Sequence, residues 1–172
     1  MKSNNKPGGV TVKIGLMADT HDNLAAAERA VKLFNNREVK HVLHAGDLVS
    51  PFTADKFSEL ESEFHFVWGN NEGDRLHVRS KLEGIDTVPQ DFLSLELDGV
   101  RFALLHGTSE EIVNALTESE KFDVVVRGHT HEPKIGKDPW RINPGATSGY
   151  LADRQTVAVF DTREMEAKIL EV

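Results

Sequence analysis

Five short apolar segments of this chain each run into a turn that carries aspartate, asparagine or histidine. These segments cover residues 10–17, 40–44, 64–68, 100–105 and 122–126. Their content of β-branched and aromatic residues favours β-strands. In open α/β sheets, ligand sites lie outside the carboxyl ends of the strands. The five turns are therefore predicted to converge on one crevice. This convergence constrains the possible fold more than any other feature of the sequence.

Helical patterns and hairpins account for most of the remaining chain. Helices are predicted over 23–37, from Ser50-Pro51 onward, over 74–82 and over 108–119. Hairpins are predicted over 92–105, turning at Asp98-Gly99, and over 156–172. Helix caps are expected at Asp22 and in a capping box of Thr108 and Glu111. This order of elements predicts an α/β fold with two packed mixed β-sheets flanked by helices.

The composition of the 172-residue chain narrows its possible classes. A net charge of −8 without a basic cluster disfavours broad nucleic-acid binding. No apolar run approaches the roughly 20 residues of a membrane helix, so no membrane association is expected. The absence of cysteine fits a reducing compartment, and we expect a cytoplasmic protein. Residues 1–9 are expected to form a flexible tail and 10–172 a single domain, with homo-oligomers left open.

The polar residues of the five turns have the chemistry of metal ligands. The pairs at 19/21 and 129/131 are spaced so that both side chains lie on one side of an extended chain. The candidate ligands are Asp19, His21, Asp47, Asn70, His106, His129 and His131. Seven donors exceed the needs of one four-coordinate zinc, so we predict two divalent ions sharing a carboxylate. Mixed oxygen and imidazole ligands favour Mn, our first expectation, or Fe, Ni or Zn.

The remaining histidines lack such spacing. His44 lies three residues before Asp47 and is predicted to be structural, with support of a metal ligand as the alternative. His41, His65 and His77 are predicted to be structural or exposed.

The Gly-His-Thr-His sequence at 128–131 is the most specific of the five blocks, because histidine is a scarce residue. Together with the other blocks and with Ile-Asn-Pro-Gly at 142–145, it resembles the calcineurin-like metallophosphoesterase superfamily, in particular the small single-domain phosphodiesterases of prokaryotes. The resemblance implies a four-layer αββα sandwich that hydrolyses phosphate esters by attack of a metal-bound water or hydroxide. It implies one ion on Asp19, His21 and His131, a second on Asn70, His106 and His129, and Asp47 bridging both.

The chain departs from the family pattern at Asn71, where many members have a histidine that protonates the leaving oxygen. Asparagine cannot supply a proton, although small phosphodiesterases of this family also depart here. The expected substrate is therefore a small phosphodiester with a good leaving group. Asn143 and Arg127 are candidates for substrate contact, and Ala146 replaces the serine that usually follows the 142–145 turn.

A non-catalytic role on the same fold is the main alternative. The small retromer subunit resembles this family in fold, but it is a protein-binding scaffold with an altered metal site. Because this chain retains every candidate ligand, catalysis is the favoured interpretation. A nuclease would need a groove for nucleic acid, which the acidic balance disfavours.

Overall fold

The computed structural model of the protein describes residues 12–172, so the predicted tail at 1–9 lies outside the described residues. The strands are β1 (Lys13–Met17), β2 (His41–His44), β3 (Glu63–Phe66), β4 (Leu93–Leu97), β5 (Val100–Leu104), β6 (Val124–Val126), β7 (Lys134–Gly136), β8 (Trp140–Asn143), β9 (Thr156–Asp161) and β10 (Glu166–Glu171). The α-helices are α1 (Leu24–Asn36), α2 (Pro51–Ala54), α3 (Arg75–Glu83) and α4 (Glu110–Glu118), with a 3-10 helix at Asp55–Glu59.

The strands form two mixed five-stranded sheets. The first has the order β10-β9-β1-β2-β3, with β1, β2 and β3 parallel. The second has the order β4-β5-β6-β8-β7, with β5, β6 and β8 parallel. Each sheet thus contains three adjacent parallel strands that end on the same side. The hairpins β9–β10, β4–β5 and β7–β8 lie at sheet edges. Each joins two antiparallel strands by a short connection.

Three apolar layers hold the fold together. Between the sheets, Leu16 and Leu43 from one side meet Phe102 and Leu104 from the other. The outer face of the first sheet packs against α1, α2 and α3, and that of the second against α4. Helix, sheet, sheet and helix therefore form the predicted αββα sandwich, in which each sheet buries both faces.

Local side-chain chemistry corrects two predicted helix caps. Asn23, not Asp22, caps α1 by accepting a hydrogen bond from the backbone N–H of Ala26. The Asp22 carboxylate instead accepts hydrogen bonds from Ser50 and Thr53 at the start of α2.

The cap of α4 is Ser109 and not Thr108, with the Ser109 hydroxyl accepting from Ile112 N–H. Capping residue types recur at adjacent positions, so sequence alone can miss the cap by one residue. None of the described helices has the length and apolar character needed to cross a membrane.

The hairpin of β7 and β8 was not predicted. Its strands have three and four residues, and a cis Asp138-Pro139 bond precedes β8. Proline and charged residues obscure the apolar pattern there. Pairing with β6 stabilises β8 within the second sheet, which is information that the local sequence lacks.

We expect Gly15→Ala to destabilise the protein by about 1–3 kcal/mol, the usual cost of overpacking a core. A methyl group at this position in β1 would lie 2.8 Å from ring atoms of Phe34, which is fully buried in α1. Urea unfolding measures the change in the free energy of unfolding. Gly136→Ala is the control, since its methyl group would meet nothing closer than 3.6 Å. Equal stability of the two variants would contradict this account of α1 packing.

Candidate metal centre

The carboxyl ends of the parallel strands meet at one edge of the sandwich, as predicted. Backbone hydrogen bonds join the turns: Asp19 N–H donates to Gly46 O, and His21 N–H to Asp47 O. In the second sheet, Gly128 N–H donates to His106 O. The candidate ligands are therefore held by hydrogen-bonded backbone that follows directly from rigid strands.

Several of these residues adopt a left-handed backbone that is uncommon for side chains larger than glycine. The φ angle is 54° at Asp19, 40° at His21, 60° at Asp47, 71° at His129 and 60° at His131. Such conformations cost roughly 1–3 kcal/mol each and persist where the surrounding structure imposes them. Their concentration at the sheet edge marks it as a candidate functional site.

Glycines allow the two sheets and their turns to approach one another closely. A methyl group on Gly69 would lie 2.0 Å from Oδ1 of Asp47, and one on Gly128 would lie 2.9 Å from Oδ2 of Asp19. Both carboxylates are almost fully buried. The absence of a side chain at Gly69 and Gly128 is what makes room for them.

The first group of side chains consists of Asp19, His21 and His131. Oδ1 of Asp19 lies 3.8 Å from Nε2 of His21 and 3.5 Å from Nε2 of His131. The two Nε2 atoms are 3.2 Å apart. Nδ1 of His131 donates to the carbonyl of Tyr150, so the lone pair of the neutral ring lies on Nε2, facing the other two groups.

The second group consists of Asn70, His106 and His129, with Asp47 between the groups. Oδ1 of Asn70 is 2.8 Å from Nε2 of His106 and 3.0 Å from Nδ1 of His129. Oδ2 of Asp47 is 3.4 Å from Nε2 of His106 and 3.6 Å from Nε2 of His21. The structure thus brings all seven predicted side chains together.

These atoms fit divalent cations. Asp19 Oδ1 is buried and has no hydrogen-bond partner among residues 12–172, and the facing nitrogens and oxygens of both groups are largely acceptors. Nδ1 of His106 donates to the carbonyl of Ala45, which leaves Nε2 as the acceptor. Outer contacts of this kind orient histidine ligands in metal sites. Lone pairs on the oxygen and nitrogen atoms of each group face one another, which is unfavourable. A cation bound within each group would accept these lone pairs.

Charge in the site follows from these contacts. Burial favours the neutral form of Asp47, but His106 and Asn71 outweigh it and lower the pKa of this carboxyl, which stays ionised. Burial lowers the pKa of His21, whereas the nearby Asp19 carboxylate raises the pKa of His131. The ionised Asp47 carboxylate therefore supplies negative charge that would attract cations.

Asn71 contacts Asp47 directly. Its backbone N–H donates to Oδ1 at 2.8 Å and its side-chain amide to Oδ2 at 2.7 Å. These two bonds hold the carboxylate plane between the two groups. The amide is thereby occupied in positioning Asp47.

The two predicted substrate contacts have structural partners. Arg127 is buried and donates to the carbonyls of Gly107 and Gly128 and to Glu110. Asn143 donates to the Gly128 carbonyl and to Thr130, and accepts from Gly145 N–H. Both side chains hold the turns that carry His106 and His129. The predicted contact with substrate gains no support from this geometry.

Two further residues, His44 and Glu72, support the turns of the site. His44 is buried, accepts from Gly46 N–H and contacts Thr20 at 2.9 Å, so it holds the turn before Asp47. Burial lowers the pKa of His44 to about 3, which keeps the ring neutral. Glu72 accepts from Leu48 N–H, and burial raises its pKa to about 7. No spacing in the sequence marks such contacts.

Comparisons with known proteins agree with this architecture. The family described as the calcineurin-like phosphoesterase superfamily domain matches residues 12–165. A phosphodiesterase of Methanocaldococcus jannaschii is 36% identical over 159 residues, covering 90% of this chain and 96% of the relative. A solved archaeal phosphodiesterase shares 35% identity with a TM-score of 0.89, covering 94% of this chain and 100% of the other.

A more distant structure shares the fold alone. Vacuolar protein sorting 29 of Cryptosporidium parvum is 14% identical, with a TM-score of 0.68 over 95% of this chain and 98% of its own. The matched domain covers nearly all described residues, and its two sheets with flanking helices are those described above. On this evidence, the chain belongs to the calcineurin-like phosphoesterase superfamily.

Proposed function

We propose that this protein is a phosphodiesterase that hydrolyses small phosphate esters with two divalent ions. The convergence of seven ligand-type side chains at one edge of the sandwich, with the unpaired, buried oxygen of Asp19 among them, carries the proposal. Similarity to a phosphodiesterase of Methanocaldococcus jannaschii supports it. One ion would be held by Asp19, His21 and His131, the other by Asn70, His106 and His129, with Asp47 contacting both.

When bound, such ions activate a water for attack on phosphorus and neutralise the phosphate oxygens. The mixed oxygen and imidazole set suits Mn first, and Fe, Ni or Zn as well. The residues around the ions then have positioning roles. Asn71 fixes the Asp47 carboxylate, while Arg127 and Asn143 hold the turns of His106 and His129.

The leaving group should depart without a proton from residue 71. The amide of Asn71 has no acidic proton, and its N–H already faces Asp47. We infer a preference for esters whose leaving group is a stable anion. General acid catalysis typically contributes 10²–10⁴-fold, so esters with poor leaving groups should react more slowly by about that factor.

A cavity of about 510 Å³ beside Asn70 and His106 suits an organic substituent of the ester. Trp68, Phe92 and Ile112 contribute apolar walls. A diester carries two substituents on phosphorus, and this cavity offers one of them a place next to the proposed ions. The preference for a diester over a monoester rests on the similarity to the phosphodiesterase of Methanocaldococcus jannaschii, and the cavity is compatible with it.

The alternative is a non-catalytic scaffold that binds other proteins. The likeness to vacuolar protein sorting 29 concerns the fold alone, whereas the full set of ligand-type residues favours catalysis. We also retain the interpretation of residues 10–172 as one domain of a cytoplasmic protein.

Removal of metal should abolish hydrolysis of a generic aryl phosphodiester, and reloading should restore it. The reason is that the seven candidate ligands include no serine, threonine or cysteine, so the attacking water would depend on the ions. The measurement is the rate after chelation and after addition of Mn, Fe, Ni or Zn. Inactivity with all four metals would favour the scaffold.

The second prediction concerns Asn71 and a series of aryl phosphodiesters with graded leaving-group pKa. For the natural protein we expect the rate to fall steeply as that pKa rises. Asn71→His should flatten the plot and speed the poorest substrates by up to about 10²–10⁴-fold. Asn71→Gln is the control, because glutamine cannot supply a proton either. A flat plot for the natural protein, with chemistry limiting turnover, would refute the idea.

A third prediction tests the cavity. Ile112→Ala should raise KM for a bulky aryl diester about fivefold, because partial loss of apolar burial costs on the order of 1 kcal/mol. A methyl ester that leaves the cavity empty should be unaffected. Leu151→Ala is the control, since Leu151 is 96% exposed and lies outside the cavity lining. Identical changes for both esters would contradict the assignment.

A further inference from the structure

A second cluster of metal-ligand side chains lies at the opposite end of the first sheet. We call His41, Glu63 and His65 the strand-start cluster. His41 opens β2, and Glu63 opens the neighbouring parallel strand β3 directly beside it in register. Since alternate residues of a strand face the same side, Glu63 and His65 project from one face together with His41. Strand pairing therefore assembles the cluster, which is why the sequence spacing did not reveal it.

The three side chains are separated by distances that suit one small transition-metal ion. Nδ1 of His41 lies 3.3 Å from Nε2 of His65 and 3.3 Å from Oε2 of Glu63, and the last two atoms are 3.9 Å apart. Tetrahedral zinc with bonds of about 2.0–2.2 Å places its ligand atoms roughly 3.3–3.6 Å from one another. Small side-chain adjustments would complete this geometry.

The cluster is accessible but sheltered. The side chains of His41 and His65 are 18% and 19% exposed, whereas that of Glu63 is 73% exposed. An ion could therefore enter from solvent and keep a water ligand. Burial and the neighbouring His41 lower the pKa of His65, which favours the neutral ring that binds metals.

The cluster is separate from the candidate metal centre. The candidate metal centre follows the carboxyl ends of β2 and β3, while the strand-start cluster occupies their amino ends. The three steps from His41 to His44 alone span about 10 Å at the usual rise of a strand. No residue is common to the two groups.

We propose that His41, Glu63 and His65 bind a single zinc-class divalent ion that ties the edge strand β3 to β2. Two imidazoles and one carboxylate, with water in the open position, form a known type of zinc site. Imidazole-rich sites hold zinc more tightly than manganese. The proposal is independent of the hydrolytic function, because none of these residues contacts the candidate metal centre.

The test is zinc binding to the full-length protein after complete metal removal. Equilibrium dialysis with metal analysis should find one zinc fewer per chain in His65→Gln than in the natural protein. Glu63→Gln should weaken binding of that one zinc by at least about 10–100-fold, the loss typical of removing even an outer partner of a metal ligand. Zinc should also raise the melting temperature of both variants by less than it raises that of the natural protein.

His77→Gln is the matched control. His77 pairs with Asp74 at 2.7 Å but has no second histidine beside it, so this variant should bind as much zinc as the natural protein. Hydrolysis with manganese should be unchanged in all three variants, which checks the fold and the other site. Equal zinc content in the natural protein and His65→Gln would overturn the proposal and leave a hydrogen-bonded ion pair. If His65→Gln does not fold, the zinc affinity of Glu63→Gln decides, because the Glu63 side chain is exposed and its substitution should leave the fold intact. Unchanged zinc affinity in Glu63→Gln would overturn the proposal.

Discussion

The carboxylate of Asp47 is the contact on which the candidate metal centre depends. It lies where the ends of β2 and β3 meet His106 from the other sheet, and Asn71 donates to both of its oxygens. Gly69 must lack a side chain for Asp47 to fit. A side chain at Gly69, in the turn after β3, would therefore displace the Asp47 carboxylate in the turn after β2.

Such a site is unfavourable without cations. Two buried carboxylates oppose one another, and several non-glycine residues adopt left-handed backbone that costs free energy. The apolar layers of the sandwich offset that cost, since both faces of each sheet are buried. Strain and unpaired charge concentrated at one edge of an otherwise regular fold are typical of a site organised before its ligand arrives.

The fold was predictable where local chemistry decides it. The hairpin of β4 and β5 turns at Asp98 and Gly99, both with positive φ, as the Asp-Gly pair indicated. Prediction failed where several residues could do the same task. Thr108 and Ser109 are both capping types, and only the path of the chain selects Ser109. The β7–β8 hairpin escaped notice because its strands are stabilised by β6 and not by their own pattern.

By itself the sequence determined which chemical groups follow each strand, and this was enough to predict a shared metal-binding edge. The order of its elements predicted two sheets flanked by helices, and the resemblance to the phosphoesterase family implied the four-layer αββα sandwich. Ligand types and glycines are local properties, readable one turn at a time. Only the tertiary structure decided how those groups are used. It assigned Arg127 and Asn143 to holding turns, directed Asn71 onto Asp47, and brought His41 beside His65. These contacts join residues distant in the chain, so they depend on strand order and register, which no local pattern encodes.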